Sequence, residues 1–466
     1  MLFERIYEEG LAQASYFIGC QREGKAIVVD PRRDIQVYLD LAAKNGMDIT
    51  AVTETHIHAD YLSGTRELAA ATGAEIFLSA EGGPDWQYAF EGTDLRHDDT
   101  IQLGKITVTA KHTPGHTPEH LSFLITDGAV SSDPGYLLSG DFVFVGDLGR
   151  PDLLDEAAGG VDTRFAGAKD LFRSLREVFL TLPDYVQVHP AHGAGSPCGK
   201  ALGAVPSTTV GYERAHAWWS RHLLNNDEAG FVAELLDGQP DAHAYFARMK
   251  RENRVGPAVL GPLAPLEALS ATEVQAKLDA DAAIFIDTRD RDSVLEGTVD
   301  GALVVPAGNS ASNFGAWVID PEKEKRPLIA LAPSEDAAES FRASLHRVGI
   351  DSLCCYAESL DGLRSFVPPT ISVDELDSTD RDALVDIRAK SEYADGTIPG
   401  AQHLSGGSAM WRLDELPHDP ATGKPGAIIT FCQSGARNVV VSSALRRAGF
   451  TVTELKGSYA AWAAAS

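Results

Sequence analysis

The segment Thr55-His56-Ile57-His58-Ala59-Asp60 directly follows an apolar run that is rich in β-forming residues, and it places two imidazoles and a carboxylate close together. An extended run that ends near Val52 would deliver His56 and His58 from a loop at a strand end. Side chains on such a loop can converge on one metal ion and leave a coordination position open to solvent. The segment therefore predicts a metal site.

Three further motifs follow it in the chain: Thr113-Pro114-Gly115-His116, Ser139-Gly140-Asp141 and His189-Pro190-Ala191-His192-Gly193. The order T-H-x-H-x-D, T-P-G-H, S-G-D and P-A-H-G resembles the metallo-β-lactamase superfamily. The residues around these motifs are similar to the persulfide dioxygenases of that superfamily. The resemblance covers roughly the first half of the chain and implies an αββα sandwich, in which two β-sheets lie between outer helices.

The resemblance also implies one Fe(II) per chain, held by His56, His116 and Asp141. Two neutral imidazoles and one carboxylate on one face of an iron ion leave positions for a substrate and O2. By the same analogy, other polar side chains of the motifs support these ligands or are relics of a second metal site: His58, Asp60 and His192.

Position 61 departs from the superfamily pattern. Many hydrolases of the superfamily continue T-H-x-H-x-D with a histidine that helps to hold a second metal, whereas this chain has Tyr61. A phenol is protonated near neutral pH and is a poor ligand for Zn(II). The sequence therefore favours a single metal, with Tyr61 either packed beneath the loop or placed beside the site.

Length and composition indicate a modular globular protein. At about 150 residues per domain, 466 residues predict about three domains. The content of 44% hydrophobic and 23% charged residues is that of ordinary globular proteins. The sequence contains no run that resembles a membrane span, and it begins with acids where a signal peptide would be basic and then apolar. We therefore expect a cytoplasmic protein with no membrane partner.

The net charge and the cysteine content exclude one class of partner and one kind of cross-link. A formal net charge of −27 argues against nucleic acid, because phosphate binding requires clustered lysine and arginine. The five cysteines are too few and too irregularly spaced for a disulfide framework, so they are expected to be thiols. The sequence is compatible with a homo-oligomer and does not decide the number of copies.

The second half of the chain repeats itself. The run Ile284-Phe285-Ile286-Asp287-Thr288-Arg289 corresponds to Ala383-Leu384-Val385-Asp386-Ile387-Arg388, 99 residues later. A repeat of that length is a duplicated domain, and its continuous apolar runs predict a buried parallel sheet in each copy. We therefore predict α/β domains with these boundaries: 1–253 for the metal domain, 254–265 for a linker, 266–367 for the first copy and 368–466 for the second.

The second copy contains Cys432 at a predicted strand end, followed by Gln433-Ser434-Gly435-Ala436-Arg437 and a helix from about Asn438. Backbone N–H groups, the positive end of the helix dipole and the charge of Arg437 would all stabilise a thiolate there. This loop therefore indicates a site for an anionic sulfur.

The C-Q-S-G-A-R loop, with the earlier V-D-I-R and E-Y-x-x-G-T-I-P-G-A, resembles the rhodanese sulfurtransferase family over about the last hundred residues. The resemblance implies that Cys432 accepts a sulfane sulfur as a persulfide and that Arg437 helps to cradle it. Asp386 and Arg388 match a family motif for which we expect a role in the fold. Thr397 stands where rhodaneses commonly have histidine, outside the loop.

The first copy has Ala332-Pro333-Ser334-Glu335-Asp336 where the second has its cysteine loop. It lacks a nucleophile there and has two acids where an anion would bind, so it resembles inactive rhodanese modules that act as spacers or docking platforms. Cys354 and Cys355 lie in an apolar run and are predicted to be buried in the core. Cys198 belongs to no motif, but its position after the His192 loop would let it line the pocket.

Together the two resemblances imply a fused enzyme of sulfur oxidation. The iron site would oxidise a low-molecular-weight thiol persulfide with O2 to sulfite and thiol, and Cys432 would transfer a sulfane sulfur, forming or using thiosulfate. The identity of the thiol and the direction of the transfer stay open. Two alternatives remain: a glyoxalase II-type thioester hydrolase with two zinc ions, and a rhodanese-like tail that only binds partners.

Overall fold

The computed structural model describes residues 1–156, 162–376, 383–419 and 422–465. The chain forms two compact units. The first consists of Met1–Gln239 with Phe246–Leu263, and the second of Pro240–Tyr245 with Ala264–Ser466. The domain and linker boundaries that the sequence suggests, including the division between the two copies at 367, stay predictions.

The first unit is built on two six-stranded sheets. In the first sheet the strands follow chain order, β1 to β6; β1 to β3 are antiparallel and β3 to β6 are parallel. These strands are β1 Leu2–Glu8, β2 Gln13–Cys20, β3 Lys25–Val29, β4 Asp48–Thr53, β5 Glu75–Ser79 and β6 Thr93–Leu95. The second sheet has the order β12-β11-β10-β9-β8-β7. Its strands are β7 Thr100–Leu103, β8 Ile106–His112, β9 Leu121–Asp127, β10 Tyr136–Gly140, β11 Gln187–Pro190 and β12 Thr208–Thr209.

The core of this unit has three layers, one between the sheets and one beneath the helices on each side. Strand β2 is buried along its whole length, because it lies between the second sheet and the helical layer. The helices are α1 Gln36–Asn45, α2 Thr65–Thr72, α3 Leu153–Glu156, α4 Thr163–Glu177, α5 Val210–His216, α6 Ser220–Leu224, α7 Glu228–Leu236 and α8 Phe246–Val255. Tyr38 and Leu68 pack under the first sheet, and Phe172 and Phe231 pack under the second. The predicted αββα sandwich is confirmed.

The second unit contains two parallel five-stranded sheets with the same topology, β13-β18-β17-β14-β16 and β20-β24-β23-β21-β22, and a small antiparallel pair, β15 with β19. The strands are β13 Glu267–Ala268, β14 Ile284–Asp287, β15 Thr298–Val299, β16 Leu303–Val304, β17 Leu328–Leu331, β18 Leu353–Ala357, β19 Ser365–Phe366, β20 Thr370–Ile371, β21 Leu384–Asp386, β22 Gln402–His403, β23 Ala427–Phe431 and β24 Thr451–Leu455. The helices are α9 Ala271–Asp279, α10 Arg291–Glu296, α11 Ala311–Val318, α12 Glu335–His346, α13 Val373–Leu376, α14 Lys390–Ala394, α15 Ala436–Arg447 and α16 Ser458–Ala465. None of the helices in the described ranges is long and apolar enough to cross a membrane.

The two copies share a polar clamp at the end of the central strand. In each, an arginine two residues after the strand aspartate donates hydrogen bonds to that aspartate and to a glycine carbonyl 2.6 Å away, and a threonine hydroxyl donates to the same aspartate over 2.7 Å. The clamp residues are Asp287, Arg289 and Thr298 in the first copy and Asp386, Arg388 and Thr397 in the second. Such matched contacts support the duplication, and they tie each strand to the following turn.

We expect Asp386→Ala to lower the free energy of unfolding by about 3–5 kcal/mol, because it leaves a buried guanidinium without its carboxylate. The matched change Asp287→Ala should cost less, because the Arg289 side chain is 32% exposed whereas that of Arg388 is 2% exposed. Chemical denaturation of the full-length variants measures both losses. Equal losses would contradict the argument from burial.

The environment of Cys354 differs from the one that the sequence predicts. Cys355 is buried, as predicted, but Cys354 is exposed. The pairing of β17 with β18 shifts register at this point, so that Leu328 faces Leu353 while the next residue, Ile329, faces Cys355. Cys354 is thus the additional residue of a β-bulge, which a regular alternation of buried and exposed positions does not reveal.

Candidate functional site

The first unit brings His56, His116 and Asp141 together. They lie on the loops after β4, between β8 and β9, and after β10, and all three are buried. Their ligand atoms lie within 4.8 Å of one another. The Oδ2 atom of Asp141 is 3.5 Å from Nε2 of His116 and 3.9 Å from Nε2 of His56. This cluster is a candidate metal site.

Hydrogen bonds behind the two histidines set their tautomers. Nδ1 of His116 lies 3.0 Å from the carbonyl oxygen of Arg150, which can only accept. The hydroxyl of Thr55 donates its proton to Asp30 over 2.9 Å, so it accepts from Nδ1 of His56 at 3.0 Å. Both rings therefore turn an Nε2 lone pair toward the carboxylate, as metal-ligating histidines require.

The donor set suits a cation. Neither carboxylate oxygen of Asp141 accepts a hydrogen bond from nitrogen or oxygen among the described residues. Burial raises the pKa of Asp141 to about 6, and a bound cation would reverse that shift. Burial, assisted by neighbouring histidines, holds the pKa values of His56 and His116 well below the usual value, so both rings are neutral. Two neutral imidazoles and one uncompensated carboxylate fit a divalent metal ion.

His58 is not among the side chains whose ligand atoms converge in this cluster, although its ring centre lies 4.1 Å from that of His56. Its Nε2 lies 3.0 Å from Oδ1 of Asp30. Burial alone would lower the pKa of His58, but the charge and hydrogen bond of Asp30 outweigh it and raise the pKa to about 9. The Tyr61 hydroxyl donates to the Asp30 carbonyl over 3.2 Å and is fully buried, so Tyr61 packs beneath the loop.

A second group of potential ligands consists of Asp60, His192 and Cys198, whose ligand atoms also lie within 4.8 Å of one another. Nε2 of His192 is 3.5 Å from Oδ2 of Asp60 and 3.5 Å from Oδ1 of Asp141, so Asp141 faces both groups. Nδ1 of His192 donates to the carbonyl of Ala12 over 3.2 Å. Burial raises the pKa of the Cys198 thiol well above its usual value, and the two aspartates add to the effect. In the sequence, only its position after the His192 loop indicated that Cys198 could line this pocket.

Asn253, on α8, shapes the metal loop although it belongs to no sequence motif. Its amide donates to the carbonyls of His58 over 2.9 Å and Tyr61 over 2.7 Å, and its oxygen accepts from the backbone N–H of Ser63 over 2.9 Å. Asn253 is completely buried. One side chain thereby fixes the backbone that follows the T-H-x-H-x-D motif.

Lys250, also on α8, is a buried cation of the same unit. Its ammonium lies 3.9 Å from the ring centre of Trp86. Burial lowers the pKa of Lys250 to about 8, partly opposed by the charge of Glu119. The charge of Lys250 acts on His116 and lowers its pKa.

The second unit contains the cysteine loop. Cys432 is buried directly after β23, and the backbone N–H of Gly435 donates to its Sγ over 3.1 Å. Gly435 has a left-handed φ of 103°, which a glycine adopts without strain, and α15 begins at the next residue. Arg437 forms a two-fold ion pair with Glu392, at 2.6 and 2.7 Å. The helix begins two residues earlier than predicted, so its first turn includes Arg437.

In the first copy the corresponding helix, α12, has a different N-terminus. The hydroxyl of Ser334 accepts from the backbone N–H of Ala337 over 3.3 Å, and Glu335 and Asp336 occupy the first turn. The Ser334 side chain thus occupies one of the N–H groups that an anion would need, and two carboxylates repel an anion. The inactivity of this copy stays a prediction.

Comparison with known families finds one match in the first unit and one in the second. Residues 9–192 match the metallo-beta-lactamase superfamily, and residues 372–465 match the rhodanese-like domain. A solved metallo-beta-lactamase from Staphylococcus aureus subsp. aureus COL is 36% identical, with a TM-score of 0.67, and the match covers 76% of this chain and 98% of that one.

Two curated relatives differ in their described activities. The mitochondrial persulfide dioxygenase of Homo sapiens is 26% identical over 198 residues, which are 41% of this chain and 68% of that protein. A hydroxyacylglutathione hydrolase from Polaromonas sp. is 29% identical over 276 residues, covering 54% of this chain and 98% of that protein. The αββα fold, the convergent histidines and aspartate, and these matches lead to one conclusion: the chain belongs to the metallo-beta-lactamase superfamily and carries a rhodanese-like domain in its second unit.

Proposed function

We propose that the first unit oxidises a low-molecular-weight thiol persulfide with O2 at a single Fe(II), and that Cys432 transfers sulfane sulfur in the second. The observation that carries the proposal is the composition of the first cluster. The ligand atoms that converge there belong to His56, His116 and Asp141, and His58 is not among them. Two histidines and one carboxylate are typical of non-haem Fe(II) oxygenases.

The overall oxidation is balanced by one water: the persulfide RSSH, O2 and water give RSH, sulfite and two protons. Iron, when bound, would supply adjacent coordination positions for the sulfur and for O2. The protein's own contribution is to hold the donors in place. The Arg150 carbonyl orients His116, and Thr55 with Asp30 orients His56, while burial of all three ligands keeps bulk water from the site.

In the sulfur-transfer step, the Cys432 thiolate would attack the outer sulfur of a thiol persulfide, which breaks the S–S bond of the donor, releases its thiol and leaves a persulfide on Cys432. Sulfite would then attack the outer sulfur, which releases thiosulfate and restores the thiolate; the reverse sequence would use thiosulfate instead. The N–H of Gly435 and the N-terminus of α15 face the sulfur that carries the negative charge. The match of residues 372–465 to the rhodanese-like domain supports this assignment.

A second candidate is a hydrolase of the glyoxalase II type with two zinc ions. The group Asp60, His192 and Cys198 favours it, because a second ion would find three ligands there. The similarity to a hydroxyacylglutathione hydrolase also favours it. The composition of the first cluster opposes it, because only two histidines, His56 and His116, contribute to the donors that converge there.

One experiment separates the two candidates. We expect protein purified without oxygen to contain about one iron per chain and to consume O2 when glutathione persulfide is added. Elemental analysis and an oxygen electrode provide the two measurements, and S-lactoylglutathione serves as the thioester control. Two zinc ions per chain, with thioester hydrolysis and no O2 uptake, would refute the dioxygenase proposal in favour of the hydrolase.

A further inference from the structure

The β-bulge in β18 places two thiols side by side. In a regular strand, adjacent side chains point to opposite faces of the sheet. At the register shift between Leu328 and Ile329 this alternation fails, and the Sγ atoms of Cys354 and Cys355 lie 2.8 Å apart. The bulge therefore produces a pair of neighbouring thiols that the sequence pattern does not predict.

The two thiols have different environments. Cys354 is exposed, because the short strand β13 pairs with Cys355 and Tyr356 and does not extend over it. Cys355 is buried in the core cluster that includes Phe285 and Ile329. Burial, and then the contact with Cys354, raises the pKa of Cys355 to about 12. One thiol is thus accessible to a reagent, and a protonated one lies directly behind it.

The pair is also separate from the degenerate rhodanese loop. Cys354 lies near the start of β18, beside Leu328 at the start of the parallel strand β17. The loop that begins with Ala332 follows the other end of β17. The two features therefore lie at opposite edges of the same sheet, and the loss of a nucleophile at one edge does not affect the thiols at the other.

We propose that Cys354 and Cys355 are a redox-active vicinal dithiol, which reduces the S–S bond of a low-molecular-weight persulfide or disulfide and closes to a disulfide between adjacent residues. This inference does not rest on the function proposed for the metal site or for Cys432. The shared chemistry is attack of a thiolate on a sulfur–sulfur bond.

The step balances for both reagents. With a persulfide RSSH, the Cys354 thiolate takes the outer sulfur and RSH leaves. Cys355 then attacks Sγ of Cys354, which expels hydrogen sulfide and forms the Cys354–Cys355 bond. With a disulfide RSSR, the same two attacks release two RSH. In each case the two thiols lose two electrons and two protons, and the reagent's S–S bond is reduced.

The closed form should be easy to reopen. Disulfides usually join Cα atoms about 4.4–6.8 Å apart. Adjacent Cα atoms are only about 3.8 Å apart across a trans peptide, so a bond between neighbours is strained. Strained and accessible disulfides have higher reduction potentials and are the labile ones. We therefore expect a reversible modification and no structural cross-link.

The test uses the full-length Cys432→Ser protein, so that the sulfur-transfer loop does not contribute. It is incubated separately with glutathione disulfide and with glutathione persulfide, alkylated under denaturing conditions and digested with trypsin. We expect the peptide 348–364, which contains both cysteines, to lose two hydrogens, and alkylation of these two residues to fall at least ~10-fold. Dithiothreitol should restore both. Hydrogen sulfide should be released with glutathione persulfide and not with glutathione disulfide. This difference shows that the released sulfur is the outer sulfur of the persulfide.

The variant Cys355→Ser, in the same background, provides the matched control. Without the second thiol, the reaction should stop with one glutathionyl group or one additional sulfur on Cys354. Closure with either reagent supports the proposal. If the parent protein retains two alkylatable thiols with both reagents, or if it stops at the mixed disulfide as the variant does, the proposal is wrong. Thermal melting confirms that both proteins are folded.

Discussion

Replacing His116 or Asp141 by alanine should remove the metal and abolish O2 uptake, with a loss of metal affinity of at least ~100-fold, since substitutions behind the ligands alone cost about 10–100-fold. Each change removes one of the three donors that converge in the cluster. Asp141→Ala should have the larger effect, because Asp141 supplies the negative charge and faces both groups of ligands. Metal content and O2 uptake, measured on the same preparation, provide the readout.

Two controls make this prediction specific. His97→Ala removes an exposed histidine that pairs with Asp98, and it should leave both readouts unchanged. His58→Ala should lose less metal than His116→Ala, because His58 is not among the side chains whose ligand atoms converge in the cluster. A His116→Ala protein that is folded by circular dichroism and still binds one equivalent of metal would exclude His116 as a ligand.

Cys432→Ser should reduce thiosulfate sulfurtransferase activity on the order of 10⁴-fold or more, as for other enzymes that lose their nucleophile. A serine hydroxyl is a far weaker nucleophile at neutral pH than a thiolate that Gly435 and the N-terminus of α15 stabilise. Uptake of O2 on a persulfide should stay nearly unchanged, because the metal cluster uses no atom of Cys432. If transfer runs toward thiosulfate, the product should shift from thiosulfate to sulfite.

Cys20→Ala is the matched control for this second prediction, because Cys20 is a buried cysteine of the first unit that belongs to neither site. It should leave transfer and oxidation unchanged. Sulfite and thiosulfate are quantified after subtraction of the spontaneous reaction between sulfite and persulfide. An unchanged yield of thiosulfate from Cys432→Ser would remove this residue from the mechanism.

The sequence predicted the parts of this molecule that short patterns encode. An apolar run that ends near Val52 predicted β4, and three of the four motifs identified the loops that carry His56, His116 and Asp141. These inferences succeed because a strand needs only a few consecutive β-forming residues, and because the spacing within each motif is fixed by one loop.

What the sequence did not reveal depends on contacts between distant segments. Asp30 belongs to no motif, yet it accepts hydrogen bonds from Thr55, whose hydroxyl orients His56, and it also contacts His58. Asn253 holds the loop that contains His58 from 195 residues away. A lone carboxylate or amide acquires such a role only through the packing of the whole unit. The sequence did not predict the bulge at Cys354 for another reason. An additional residue in a strand leaves the apolar, β-forming composition of that strand unchanged.

The N-termini of α12 and α15 differ, and the difference indicates how two copies of a duplicated domain can diverge. In the second copy the helix follows Gly435, has no side-chain cap and carries Arg437 in its first turn, an arrangement that opposes the helix dipole but leaves the helix end without a capping side chain. The other copy has a serine cap followed by two acids, each worth some tenths to about 1 kcal/mol to a helix. A copy that does not have to bind an anion at this helix end can accumulate such stabilising substitutions, whereas a copy that must keep its N–H groups open cannot.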